Sequence, residues 1–114
     1  RKEKVVKQKL ITKEIQQKLD KNTGNPEKDK PYLKLFNPTG GGTWLITTIK
    51  DDIMYGLGDL GVGYPELGTV SFKELTGIKF PPFGLPVERD KFFTPKKTLA
   101  EYATEAWETK RIVA

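Results

Sequence analysis

Two stretches of the sequence hold residue types at spacings that can do chemistry. In "GLPVERD", residues 84–90, Glu88, Arg89 and Asp90 stand consecutively behind an apolar run, so folding brings at least one of these charges into partly buried surroundings. Arginine offers five donors in a rigid fork, which suits a buried cation that ties carbonyls or a carboxylate together. The simplest reading is structural. Arg89 pins the proline-rich segment to a sheet with Glu66, Glu88 or Asp90 as partner, and Arg89→Leu then costs about 2 to 4 kcal/mol. The alternatives are a binding surface made of Phe83, Glu88, Arg89 and Asp90, and general acid–base work by Glu88 or Asp90. In "YGLGDLGVGYPELG", Gly56, Gly58 and Gly61 have the spacing G-x-G-x-x-G, which in a dinucleotide-binding turn lets backbone N–H groups approach a pyrophosphate at a helix N-terminus. The helix is missing here, because Gly63 and Pro65 follow at once. These glycines therefore read as hairpin and loop, and "GGG" at 40–42 lacks the G-K-[ST] of a phosphate loop. No cofactor is expected.

The chain has no His and no Cys. That removes Ser-His and Cys-His relays, disulfides, zinc fingers and every imidazole metal ligand. Catalysis would have to run on Asp, Glu, Lys, Arg, Tyr or Thr, with carboxylate-bound magnesium or calcium as the available metals. The adjacent pair Asp51 and Asp52 reads as a solvated hairpin tip, since one turn supplies too few oxygens for either ion. The expectation is a protein that is not an enzyme and holds no metal.

All of the net charge of +5 lies in residues 1–30, where ten Lys or Arg face five Asp or Glu, whereas residues 31–114 hold ten of each. Residues 1–9 read as a basic arm, with residues 10–114 as a single domain. The lysines of the first 30 residues are interleaved with Glu3, Glu14 and Glu27 and have no aromatic partner, so a solvated arm is the first reading. The alternative is nucleic-acid binding through residues 1–30, with Arg1, Lys2, Lys4, Lys7 and Lys9 of the arm as the phosphate contacts. Apolar runs such as "TWLITTI" are far shorter than a membrane-spanning helix, and no signal-peptide core precedes them. A cytosolic protein with no membrane contact is expected. The first residue is Arg1 rather than Met, which reads as a processed product or a piece of a longer chain.

The elements that must hold these residues follow from patterning. Thr12 caps a short helix carrying Ile15 and Leu19 on one face, with Leu10 and Ile11 just outside it. Residues 20–31 form a polar loop. "YLKLF" is a first strand, residues 43–58 a second and third strand joined at "KDD", and "LGTV" a fourth. Ser71 with Glu74 opens the short helix "FKEL", and Thr98 with Glu101 opens a longer one. In that last helix Leu99, Tyr102, Ala103, Ala106 and Trp107 make an apolar stripe. Between the two helices, "IKFPPFGLPVERDKFFTP" holds four prolines and reads as an ordered loop packed by Phe80, Phe83, Phe92 and Phe93. The expected fold is α+β: one domain with a four-stranded, mainly antiparallel sheet, a short N-terminal helix and a longer C-terminal helix packed against it.

In this order the segments "LITKEI" (10–15), "YLKLFNPTGGGTWLIT" (32–47), "YGL" (55–57), "ELGTVSFKEL" (66–75) and above all "FGLPVERDKFFTPKKTLAEY" (83–102) resemble the family of small proteins termed domain of unknown function 2958. Gly84 to Asp90 carry its most specific motif. The resemblance spans about residues 10–102 and leaves residues 1–9 outside. It implies an accessory protein of plasmids, integrative elements or phages, and it brings no activity, cofactor or catalytic residue. The functional expectation is an interaction module that binds a protein of the host or of the element, with a virion component as one version.

Overall fold

A computed structural model describes residues 2–114; Arg1, and the side chains of Lys2, Glu3, Lys4 and Gln8, lie outside the described residues. Nine elements follow in order: α1 (Lys2–Leu10), α2 (Lys13–Lys21), β1 (Leu33–Phe36), β2 (Thr43–Lys50), β3 (Ile53–Asp59), β4 (Glu66–Ser71), α3 (Phe72–Gly77), β5 (Glu88–Arg89) and α4 (Leu99–Thr109). The strands pair antiparallel in the order β4-β3-β2-β1-β5. The sheet thus has five strands where the patterning indicates four. The addition is β5, which sets Glu88 opposite Phe36 and Arg89 opposite Leu35. Two residues are too few to show an alternation, so only the pairing with β1 reveals this strand. Residues 2–9 of the basic arm join Leu10 in the helix α1, whose last residue Leu10 is buried with Ile11.

The sheet buries both faces. On one, Leu33, Leu35, Trp44, Ile46, Ile49 and Met54 pack under Leu10, Ile11 and Leu19 of the N-terminal helices and Phe72 and Leu75 of α3. On the other, Leu45 and Leu57 pack against Leu99, Tyr102, Ala103 and Ala106 of α4. Ile46 and Ile49 share a face despite their odd separation because the β2–β3 register slips between Ile46 and Thr48. Such a bulge inserts one residue and reverses the alternation beyond it.

Helix ends follow the capping chemistry in the sequence, with one change. The Thr98 hydroxyl accepts from the Glu101 N–H and the Glu101 carboxylate accepts from the Thr98 N–H, which closes a full capping box. The next free donors of α4 are met by the 20–31 loop, where the Asp29 and Pro26 carbonyls accept from Leu99 and Ala100, each at 2.8 Å. At α3 the Ser71 hydroxyl accepts from Glu74, and the reciprocal role falls to Asp52. The Asp52 carboxylate accepts from the Ser71 hydroxyl and, at 2.8 Å, from the Lys73 N–H. These bonds hold the Asp52 carboxyl below its ordinary value, the Ser71 contact most strongly. The hairpin tip is exposed, as its reading as solvated requires, and its Asp52 also caps a helix from 19 residues upstream.

Three side chains assigned to the interior lie outside it. Phe83 and Phe92 are 76% and 96% exposed, and Trp107 is 48% exposed. Trp107 sits off the centre of the α4 stripe, where its Nε1–H donates to the Pro65 carbonyl at 2.8 Å. Phe80 and Phe93 do pack inward, tilted against Trp44 and Tyr102.

Candidate functional site

The three charges of "VERD" separate on folding because successive residues of a strand point to opposite faces. Arg89 lies opposite Leu35 and so shares the face of the N-terminal helices. Asp90 turns to the α4 face and meets Lys34 at 3.2 Å, where Lys34 also donates to the Ala114 carbonyl at 2.9 Å and sits over the Phe93 ring. Glu88 is exposed. The pin of this segment is thus Asp90 with Lys34, not Arg89. None of the partners expected for Arg89 pairs with it: Asp90 is taken, Glu88 is not within ion-pair distance, and Glu66 is on β4 at the far edge of the sheet. Among the described residues the Arg89 side chain makes no hydrogen bond or ion pair, and its Nε is buried without a partner. A buried donor left unpaired costs about 1–3 kcal/mol.

Arg89 instead divides two hollows at the β5 edge. One, of about 510 Å³, is lined by Val6, Lys9, Leu10, Thr76, Val87 and Lys91 with Arg89. The other, of about 540 Å³, lies beside the first turns of α2 and is lined by Thr12, Lys18, Lys30, Tyr32, Lys91 and Phe93 with Arg89. Two sets of candidates that are far apart in sequence meet here, since α1 brings Lys9 beside Arg89. Arg1 and the side chains of Lys2 and Lys4 lie outside the described residues, and Lys7 lines neither hollow. Phe83 does not join Arg89 either.

Phe83 belongs to the end of the sheet where β1 and β3 finish and β2 and β4 begin. Three loops meet there. An added Cβ on Gly41 would touch the Gly61 Cα at 3.1 Å, and the Thr39 hydroxyl donates to the Pro81 carbonyl at 3.0 Å. On these loops Leu60, Val62 and Tyr64 are 66%, 66% and 75% exposed, and Phe83 and Leu85 project from the proline-rich segment. Beside them a depression of about 500 Å³ crosses Gly56, Gly58 and Gly68, with Trp44 and Ile46 below. No sequence signal marks this crest, because its members come from separate loops that only the sheet gathers.

The glycines of G-x-G-x-x-G have structural reasons. Gly56 lets β3 close on the backbone of β2, and Gly58 sits under the Trp44 ring. Gly61 takes φ +83 and donates its N–H to the Asp59 carboxylate at 2.8 Å, the same carboxylate that accepts from Ile112 at 2.9 Å. No helix begins there, and the N–H that would face a phosphate is already bonded. Glu88, exposed, and Asp90, paired with Lys34, both lack the apolar burial on which acid–base catalysis draws. Among the described residues no three carboxylates gather to hold a metal ion, and no helix is long and apolar enough to cross a membrane.

No curated protein and no solved structure matches the chain. A family model does, and it reaches past the Tyr102 limit of the motifs quoted above into the end of α4 and the tail, while leaving residues 1–9 outside. The match covers residues 10–113, and the chain belongs to the family described as protein of unknown function, DUF2958.

Proposed function

We propose that the protein is a non-enzymatic accessory factor of a phage or other mobile element that acts by binding another protein through the loop end of its sheet, in the host cytosol or as part of a virion. The observation that supports this reading is the exposure, at one end of the sheet, of Leu60, Val62 and Tyr64, which line one depression, and of Phe83 and Leu85 on the proline-rich segment that meets the same group of loops. Single exposed apolar residues are common on any surface, but a contiguous group rimmed by polar residues marks an interaction site. Aromatic side chains are the usual anchors at such sites. The resemblance to proteins of mobile elements supplies the setting. Tyr64→Ser with Phe83→Ser leaves both cores intact and abolishes capture of a specific partner from host or element-infected extract. Phe92→Ser, at the opposite end of the sheet, leaves capture unchanged. Equal recovery with all three chains counts against the reading.

Nucleic-acid binding through residues 1–30 is the second reading, favoured by the position of Lys9 beside Arg89 and Lys91. Under it, deletion of residues 1–9 lowers affinity and flattens its salt dependence, because counterion release scales with the phosphates neutralised. No binding at low salt disposes of it.

A further inference from the structure

We propose that the hollow between the first turns of α2 and residues 89–95 binds a phosphoryl group, held by Arg89, Lys30 and Lys91. Four cations line this hollow, Lys18, Lys30, Arg89 and Lys91, against two carboxylates, Glu14 and Asp90. Both carboxylates are already engaged, Glu14 with Lys18 at 3.3 Å and Asp90 with Lys34 at 3.2 Å. Among the described residues, Lys30, Arg89 and Lys91 have no anionic partner within ion-pair distance. They reach the hollow from three separate segments: the end of the 20–31 loop, β5 and the turn that follows it. Three cations converging on one space repel one another unless an anion is present.

The buried Nε of Arg89 is the second observation. Its position on β5 is set by the pairing with Leu35, so the fold holds Nε there with no partner among the described residues. An anion in the hollow gives an acceptor to the Arg89 side chain, which lines that space. A carboxylate has two oxygens in one plane, so an arginine fork that takes both leaves only their remaining lone pairs, in that same plane, for two lysines that come from other segments. A phosphoryl group has three oxygens on different sides and accepts from all three cations, with the Thr12 and Thr94 hydroxyls at hand as further donors. The volume of about 540 Å³ exceeds what a bare phosphate needs and suits a phosphate carried on a larger molecule. Tyr32 and Phe93 line the same space and offer ring surface to whatever carries it. The carrier is a small phosphate ester or a nucleic-acid strand, and the chemistry at Arg89 is the same for both.

The test is ¹⁵N–¹H NMR of the full chain at low ionic strength, titrated with inorganic phosphate, a 5′-mononucleotide, a short single-stranded oligonucleotide, acetate, and sodium chloride at matched ionic strength. Inorganic phosphate is expected to shift the Arg89 Nε–Hε signal and the Lys30, Lys91 and Thr94 amides saturably, with acetate at least about tenfold weaker and chloride without effect. A mononucleotide tighter than both other phosphates names the small ester, a tighter oligonucleotide names the strand, and equal affinities show that the phosphoryl group alone is read. Arg89→Gln is expected to weaken binding at least about tenfold. Lys30→Gln with Lys91→Gln, both at exposed positions, weakens it in the same way on an undisturbed fold. The proposal is overturned by the absence of shifts at these residues with every phosphate, by equal shifts from acetate or chloride, or by full affinity in the double lysine variant.

Discussion

Alanine at Gly56 would place a Cβ 1.9 Å from the Leu45 carbonyl oxygen, 2.8 Å from the Leu45 carbonyl carbon and 2.9 Å from the Ile46 Cα. All three are backbone atoms of β2, so no rotamer change relieves the overlap. The strands must separate by more than 1 Å, judged from an ordinary contact of about 3.2 Å, at the position where Ile46 faces Gly56 and Leu45 faces Leu57. Leu45 and Leu57 feed the α4 core and Ile46 the other, so the displacement loosens both. Overpacking that rotamers can absorb costs about 1–3 kcal/mol, and a clash between backbones at the centre of the sheet belongs at or above the top of that range. For a chain of this length, a loss of about 3 kcal/mol lowers Tm by roughly 10 °C. The assay is thermal and urea unfolding of Gly56→Ala beside Gly68→Ala, whose added Cβ meets nothing within 4 Å and which is expected within about 0.5 kcal/mol of the parent. Equal melting temperatures for the two variants would refute the reasoning. A nucleotide-binding role for these glycines requires the opposite pattern, a lost ligand and a kept Tm.

With no partner among the described residues to strand and an unpaired donor removed, Arg89→Leu is expected to cost less than about 1 kcal/mol in urea unfolding, and a loss above about 2 kcal/mol would show a further structural partner. Lys34→Met leaves the half-buried Asp90 carboxylate without its cation, with the Phe92 N–H as its remaining donor, and is expected to cost about 1.5–3 kcal/mol; an unchanged midpoint would contradict the pin assigned to this pair. Glu101 is held below its ordinary value of 4.5 by the Thr98 N–H and then by the Thr98 hydroxyl, as Asp52 is below 3.8 by Ser71 and then Lys73. A lowered pKa in the folded state means that the unfolded chain binds the proton more readily. The caps therefore contribute fully above those ordinary values and are lost as the pH falls through the lowered ones. Far-UV circular dichroism in acid should show the parent losing stability over this range more steeply than Asp52→Asn with Glu101→Gln, and parallel curves would remove the caps from the acid response.

The parts of the fold that could be read from sequence are those whose cause is local. Thr12 and Thr98 cap helices three residues ahead of their partners, and the β2–β3 hairpin turns at two residues, with Asp51 at φ 56. Features that rest on distant contacts were not legible. Asp52 caps a helix from the β2–β3 turn, β5 exists through β1, and the crest needs loops from separate places in the chain. Trp107 shows how a pattern misleads: eight helical positions past Leu99 it is rotated by about 80° from it, enough to carry the ring to the rim, where its N–H finds the Pro65 carbonyl. Two of the three partners expected for Arg89, Glu88 and Asp90, are its neighbours in the chain, and strand alternation sends Asp90 to the other face, while Glu66 lies at the far edge of the sheet.

The loop-end interface is tested most directly by isothermal titration of the captured partner against the parent chain, Tyr64→Ser with Phe83→Ser, and Phe92→Ser. Loss of two aromatic anchors is expected to weaken binding by at least about 2 kcal/mol, or roughly 30-fold, with Phe92→Ser indistinguishable from the parent. Equal affinity of the doubly substituted chain and the parent, with Tm unchanged, would contradict the claim that this end of the sheet is where the protein binds.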